Sequence, residues 1–415
     1  METMRPAVAV VGAGPAGLTA AAALAGLVDG EILVLEREQV PGGIPRHSDH
    51  TGYGLRDLHR VMSGPAYARL LHRRAERAGA RVLTEATVTR VSDGRELEVT
   101  TPSGLVRVEP RALVLATGAR ERPRPARLIT GDRGAGVYTT GHLQNLVHLH
   151  HGRPGKRAVI VGAELVSWSA VLTLREAGCR TVLMTTQQPV PESYAAFHLP
   201  GRALLRVPVA TRTRLVSIEG DAGRVSAVVV EQAGTGRRRR VECDTVVVTG
   251  DWIPDHELAR GTGLRLDPSS RGPVVDTALR TSRPGVFAAG NLIHPVDTAD
   301  IAALDGRHVA AAVHRWLADD QPGEIAFDIQ VDAPLRWVAP SMVRRGDPPP
   351  SRGRLLLWTD TLVRSPVVQV HQAGRLLTRR RVPWPASPGR VFRVPWSSLA
   401  RAVPGAGPVR LSLAG

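Results

Sequence analysis

An apolar run, Ala7–Val11, breaks into Gly12-Ala-Gly14-Pro15-Ala16-Gly17 and leads straight into an alanine-rich stretch, Ala16–Leu27. A second apolar run, Glu31–Leu35, is followed by Glu36, nineteen residues after Gly17. This order of strand, glycine turn, helix, strand and acid is the opening half of a parallel βαβ unit that receives a dinucleotide. Gly12 permits the tight turn, Gly14 lets backbone approach a pyrophosphate, and Gly17 allows the helix to pack closely on the strand. The helix amino end offers N–H groups and partial positive charge to the phosphates, and Glu36 can accept from both hydroxyls of an adenosine ribose. The fingerprint alone does not separate FAD from NAD.

The same stretch raises a membrane question, because the 22 residues from Ala7 to Val28 carry no charge and could span a bilayer by length. Gly12, Gly14, Pro15 and Gly17 cut it into strand, turn and helix, and no signal-type cleavage site follows. A cytoplasmic chain without a membrane span is expected. Composition narrows the chemistry further. Only Cys179 and Cys243 are present, which excludes a disulfide framework, a four-cysteine iron–sulfur or zinc site and a Cys-x-x-Cys redox pair. The net charge of +16 comes from arginine, since Lys156 is the only lysine among 54 basic side chains. No basic segment is interleaved with aromatics, so nucleic acid is not an expected partner. The densest run, Arg237–Arg240, reads as a solvated hairpin tip, and a docking face for an acidic partner protein stays open.

At 415 residues the chain needs more than one core. After the first unit come a glycine-rich loop (41–54), a helical stretch (57–78) interrupted by Pro65, and a three-stranded meander at 81–91, 96–100 and 105–108. Leu113–Ala116 is a short apolar strand running into Thr117 and Gly118. A second strand–turn–helix–strand unit follows at 157–161, 165–177 and 180–184, with another meander near 213–218, 226–231 and 240–243. Thr245–Thr249 and Val286–Ala289 are again apolar strands, and 298–317 is an amphipathic helix. The last 92 residues hold twelve of the 32 prolines and four of the seven tryptophans, with period-2 alternation at Phe327, Ile329 and Val331, which argues a small all-β appendage.

Leu113-Val-Leu-Ala-Thr117-Gly118 and Val286-Phe-Ala-Ala-Gly290-Asn291 both end in small residues where backbone must crowd a ligand. With the fingerprint, their order resembles the two-dinucleotide flavoproteins of the pyridine-nucleotide–disulfide oxidoreductase type, over about residues 6–320. The resemblance implies an α/β fold of two Rossmann-like FAD/NAD(P)-binding domains, the FAD domain discontinuous (1–120 and 245–322) around an inserted domain (121–244), then a C-terminal β domain (323–415). It implies FAD on Gly12, Gly14, Pro15, Ala16, Gly17, Glu36 and Arg37, with Val88 beside the adenine. Gly42, Gly43 and Ile44 would lie near the flavin. The returning segments Ala116, Thr117, Gly118, Gly290 and Asn291, and the helix start at Asp297, Thr298 and Ala299, complete the set. Asn291 departs from the family's usual aspartate, yet an amide can still bond a ribityl hydroxyl.

The second unit departs further. Where the family wants three glycines the chain reads Gly162-Ala-Glu164-Leu-Val-Ser167, and Thr185-Thr186-Gln187 ends the next strand without an acid or arginine. Glu164 puts a carboxylate where a pyrophosphate should sit, so ordinary NAD(P) binding is not expected there. A narrower likeness lies in Gly42-Gly-Ile-Pro-Arg-His47, Tyr53-Gly-Leu-Arg-Asp-Leu58, Ser63-Gly-Pro-Ala-Tyr67 and Ala119-Arg-Glu-Arg-Pro123. These resemble the components of multi-component amine dehydrogenases, of the kind found in opine oxidase and in the FAD-binding part of hydrogen cyanide synthase. That implies a dehydrogenase or electron-transfer subunit for a small organic, amine-type substrate. It also implies a hetero-oligomer with another flavoprotein or an iron–sulfur subunit. The alternatives are an NAD(P)H-dependent flavin reductase and a non-catalytic FAD-holding scaffold.

His47 and His50 are the candidates for proton handling beside the flavin, since neutral imidazole acts near pH 7; the competing reading is two structural loop histidines. His142, His148, His150 and His151 cluster without neighbouring carboxylates in sequence, so no metal site is expected. Arg120 and Arg122 are read as surface pairs or as holders of an anionic substrate.

Overall fold

The structure, a computed structural model, describes residues 2–92 and 95–414. It divides into two compact units, 1–46 with 52–119 and 253–415, and 47–51 with 120–252.

The first unit is built on a five-stranded parallel sheet, in spatial order Val286–Ala288, Ala112–Leu115, Val8–Val11, Ile32–Leu35, Arg81–Leu83. The four central and neighbouring stretches are continuous apolar runs because both faces are covered. Helix Pro15–Ala25 lies against helix Ala299–Leu317, and the contact is backbone to backbone: a Cβ on Gly306 would stand 2.1 Å from the Ala16 carbonyl oxygen. The meander differs from the sequence expectation. Arg81–Leu83 joins the parallel sheet, while Thr87–Ser92, Glu96–Thr101 and Gly104–Val108 form the antiparallel ribbon. Strand Glu2–Met4, too short and polar to be read in advance, adds to it in parallel. The helix expected over 57–78 runs only Gly64–Arg77, and Pro65 starts it rather than interrupting it. Proline is accommodated in a first turn, where its missing N–H had no partner to lose.

The β domain packs within this first unit as two sheets. Five strands run in the order Met342–Arg344, Ile325–Val331, Val409–Ala414, Val367–Gln372, Arg375–Arg381; three run Leu335–Ala339, Arg354–Thr359, Phe392–Pro395. Their inward residues, among them Phe327, Val368, Leu355, Phe392 and Leu411, form a separate core. Fully buried Asp276 ties the domain to the nucleotide fold by accepting from Arg280 (2.7 Å) and from Arg344 of the β domain (2.9 Å). Arg280 also pairs with Asp347, and the amides of Ser341 and Met342 donate to the Val275 carbonyl.

The second unit repeats the parallel pattern, in the order Val137–Thr139, Thr245–Val248, Arg157–Val161, Arg180–Thr185, Val209–Ala210. Thr245–Val248 therefore belongs here and not to the returning FAD segment, which moves the expected boundary at 244/245 to 252/253. A buried parallel strand reads the same in either sheet. The arginine run also shifts: Arg238–Glu242 is an edge strand, not a hairpin tip, with Arg238 on Glu231 (2.9 Å) and Arg240 on Glu219 (2.7 Å). Charged side chains on such an edge discourage pairing with other chains. Among the described residues no helix is long and apolar enough to cross a membrane.

Candidate functional site

In the first unit the glycine turn is sterically committed. Gly12 sits at φ +103°, and a Cβ there would lie 2.5 Å from the Ala116 carbonyl oxygen; on Gly17 it would lie 1.9 Å from that of Gly12. Gly14 faces open space within 4 Å, as does Gly118 at φ +77°. At both, backbone is left open to a ligand. No side chain caps helix Pro15–Ala25, its first turn holds no acid, and Pro15 opens it, so its positive end is uncompensated within the helix.

Glu36 is buried at the end of strand Ile32–Leu35 and accepts from the amides of Ala13 (2.8 Å) and Glu38 (3.0 Å). Its carboxylate thus holds the glycine turn while keeping further lone pairs. Arg37 is exposed and faces Asp255 at 3.6 Å. The Gly42 amide donates to the Ala13 carbonyl (2.8 Å), and Gly43 packs against Gly14, which brings 42–44 beside the fingerprint. Val88 packs on the same core from the ribbon. Ala116 bonds back to Val11, and Thr117 Oγ1 donates to the Asp255 carbonyl at 2.7 Å. Gly290, at φ +71°, lies over Ala16.

Asn291 explains its own departure from aspartate. Its Nδ2 donates to the Asp297 carbonyl at 2.9 Å, which a carboxylate could not do. The amide orientation is fixed by that bond, and Oδ1 is left buried without a partner in the chain. A buried acceptor of this kind calls for a donor, and a ribityl hydroxyl is one. Thr298 precedes Ala299 as N-cap of the closing helix, and Asp300 in its first turn accepts from the Arg56 amide (3.0 Å) and pairs with the Arg56 guanidinium. The positive end of this helix is therefore partly answered by Asp300, a residue the sequence alone does not single out. Near it, buried Tyr67 donates to Asp57 at 2.6 Å, and burial pushes the Asp57 carboxyl above its usual range against that bond. These residues fit FAD: a committed glycine turn, an open phosphate approach, an adenosine acid and an orphan acceptor.

His47 and His50 belong to the second unit's segment 47–51. The His47 carbonyl meets His148 Nδ1 at 2.6 Å, and His148 Nε2 lies 3.2 Å from Glu176, a carboxylate the sequence spacing did not reveal. Gln144 donates to Ser48 Oγ (3.2 Å), which meets His50 Nε2 (3.1 Å), while His50 Nδ1 meets the Thr51 carbonyl (2.9 Å). Both His50 nitrogens thus serve loop structure. Among the described residues no group of three or more His, Cys, Asp or Glu could hold a metal ion. Arg122 pairs with Asp251 at 3.5 Å.

The second unit's own glycine turn is closed by Glu164. Its carboxylate accepts from the Ser167 amide as the N-cap of helix Leu165–Glu176, and Ser167 Oγ accepts from the Glu164 amide at 3.1 Å. The carboxyl group lies over Gly250, where a Cβ would meet its two oxygens at 2.0 and 2.4 Å. Burial first, and the Glu192 carboxylate second, push its pKa up to about 8 against the pull of Arg127. Glu121 and Glu192 are also held above the usual carboxylate range by burial. Arg127 is spent on the carbonyls of Arg122, Thr249 and Gly250. A dianionic pyrophosphate does not fit a seat filled by the chain's own carboxyl group.

Comparison with known proteins gives the family. The family model described as pyridine nucleotide-disulphide oxidoreductase matches residues 6–306. The A component of opine oxidase from Rhizobium meliloti (strain 1021) is 27% identical over 336 residues, covering 73% of this chain and 70% of that protein. Thioredoxin reductase of Mycolicibacterium smegmatis is 28% identical over 319 residues, covering 75% and 96%. The ferredoxin–NAD(+) reductase component of the biphenyl dioxygenase system of Paraburkholderia xenovorans (strain LB400) is 32% identical over 231 residues; the match spans 54% of this chain and about half, 51%, of that relative. Among solved structures, T. acidophilum thioredoxin reductase aligns with a TM-score of 0.63 at 23% identity, covering 75% of this chain and 98% of its own, which shows the two-Rossmann fold. This chain belongs to the pyridine nucleotide-disulphide oxidoreductase family and is an FAD-dependent oxidoreductase.

Proposed function

We propose that the chain is the dehydrogenase or electron-transfer subunit of a multi-component system, oxidising a small organic, amine-type substrate and passing electrons to a partner flavoprotein or iron–sulfur protein. The observation that carries this reading is Glu164, whose carboxyl group fills the seat through which a nicotinamide cofactor would reduce the flavin. Cys179 and Cys243 are both buried and unpaired, which removes the dithiol route out. In this reading electrons enter from another substrate and leave to another protein. Relatives named as part of an oxidase and as a component of a dioxygenase system support a role within an assembly.

When bound, FAD supplies a ring that takes up a hydride or an electron pair. In this reading Gly12, Gly14, Pro15, Ala16 and Gly17 receive the pyrophosphate, Glu36 and Arg37 flank the adenosine ribose, and Val88 lines the adenine. Gly42, Gly43 and Ile44 line the flavin, with Ala116, Thr117 and Gly118. Gly290 admits the ribityl chain to Asn291 Oδ1. Asp297, Thr298 and Ala299 present the closing helix, whose dipole favours negative charge beside it, moderated by Asp300.

The test is anaerobic mixing of the FAD-loaded chain with NADH and NADPH, then with candidate amines in the presence of partner subunits. The reading expects no bleaching of the flavin by either nicotinamide and bleaching by an amine. Rapid bleaching by NADH or NADPH would establish the rival flavin reductase, which the thioredoxin reductase relative favours.

A further inference from the structure

We propose that the C-terminal β domain is a working part of the flavin site, and that Arg393 is the positioning residue through which it acts. The proposal rests on the FAD reading above and assigns to it a part of the chain outside the family match, which ends at residue 306.

Arg393 lies on the β-domain strand Phe392–Pro395. Its Nη2 stands 2.8 and 2.9 Å from the two carboxylate oxygens of Asp297, whose side chain is only 2% exposed. Asp297 is the hub of the ribityl and flavin end of the site. Its Oδ1 also accepts from the amide of Thr298, the N-cap of the closing helix, at 2.9 Å, and its carbonyl accepts from Asn291. One guanidinium thus fixes the carboxylate that fixes the helix start. The same residue's carbonyl orients the amide whose Oδ1 is left for a donor.

The neighbouring residue repeats the attachment by packing. Val296 sits against a β-domain cluster of Trp337, Ala339, Leu356 and Val391. Residues 296 and 297 are therefore held by the β domain through an apolar contact and a charge pair at once. A domain joined merely for stability has no need of this loop, since Asp276, Asp347 and Val275 already dock it elsewhere. Arg393 does not touch the reacting atoms; it acts through Asp297.

The test uses the full-length chain and its Arg393→Met, Arg393→Lys and Arg265→Met variants. Arg265 pairs with Asp328 of the β domain on an exposed surface, so its variant breaks a docking contact of the same domain away from Asp297. FAD affinity by fluorescence quenching, the visible flavin spectrum and the flavin midpoint potential are read, with hydrogen exchange of the apo chain over residues 290–300. Arg393→Met is expected to weaken FAD binding about ten-fold or more, to shift spectrum and potential, and to raise exchange over 290–300. Arg393→Lys, which reaches one oxygen, is expected to recover part of each, and Arg265→Met to leave all of them unchanged. Should Arg393→Met unfold the chain, the Arg393→Met/Asp297→Asn pair removes both charges and leaves no lone buried carboxylate. Its fold is expected to recover while affinity and spectrum stay altered. Wild-type affinity, spectrum and potential in folded Arg393→Met, or in the refolded double variant, overturn the proposal, even if exchange rises. A wild-type chain that takes up no FAD overturns the reading beneath it as well.

Discussion

Replacing Glu164 with glutamine isolates the group that closes the second nucleotide seat. The amide keeps the side chain's shape and an oxygen for the Ser167 amide, but never ionises. In the native chain the Glu164 carboxyl holds its proton to about pH 8, against 4.5 for the free side chain, because burial and Glu192 disfavour the charge. An acid whose native pKa is raised contributes most at low pH, and that contribution is lost as pH climbs from the unfolded to the native value. Each pH unit in the window removes about 1.4 kcal/mol, so the wild type loses about 3 kcal/mol by pH 6.5 and about 5 kcal/mol by pH 8.5. Glu164→Gln is expected to match the wild type near pH 4.5 and to exceed it by those amounts above. Urea unfolding followed by hydrogen exchange over residues 157–176 reads the second unit alone. Parallel pH profiles for the two proteins would refute the assignment of Glu164 as a buried, neutral acid.

Gly306→Ala drives a methyl group to 2.1 Å from the Ala16 carbonyl oxygen and 2.9 Å from the Ala20 amide. It should cost roughly 1–3 kcal/mol and, if Ala16 receives the pyrophosphate as proposed, lower FAD occupancy on purification; a melt with flavin quantitation checks both. Burial pushes the Cys179 thiol up to about 11 and the Cys243 thiol up to about 12, so neither should react with a thiol reagent near pH 8 until the chain is unfolded.

The first nucleotide turn was legible because Gly12 and Gly17 are demanded there: a Cβ on either would come within 2.5 and 1.9 Å of a backbone oxygen. Glu164 was legible as a departure from that pattern, though its capping of the next helix was not, since the sequence does not tell which way a carboxylate folds. His47 and His50 are candidates for the flavin's neighbourhood by sequence position alone. His148, which meets the His47 carbonyl, and Gln144, which bonds Ser48 beside His50, lie about a hundred residues away, where spacing carries no signal. The misplaced strand Thr245–Val248 has the same fully apolar pattern as any central parallel strand, so only pairing assigns it. Asp297 stands out in the sequence only by its place before a helix. Its guanidinium partner is 96 residues on, in a stretch whose alternation announced a β fold and nothing about what that fold would grip.

The discontinuity of the flavin-binding unit has a consequence on the ribosome. Ala112–Leu115 emerges with one side unpaired, and the strand that covers it, Val286–Ala288, follows about 170 residues later, with helix Ala299–Leu317 after that. At about 5–20 residues per second the wait is roughly 10–30 s. Through that interval the nascent chain carries the half-made Rossmann sheet with an open apolar edge, while residues 120–252 emerge in one stretch. Slower translation lengthens that exposure in proportion, and a chaperone that covers the edge shortens it.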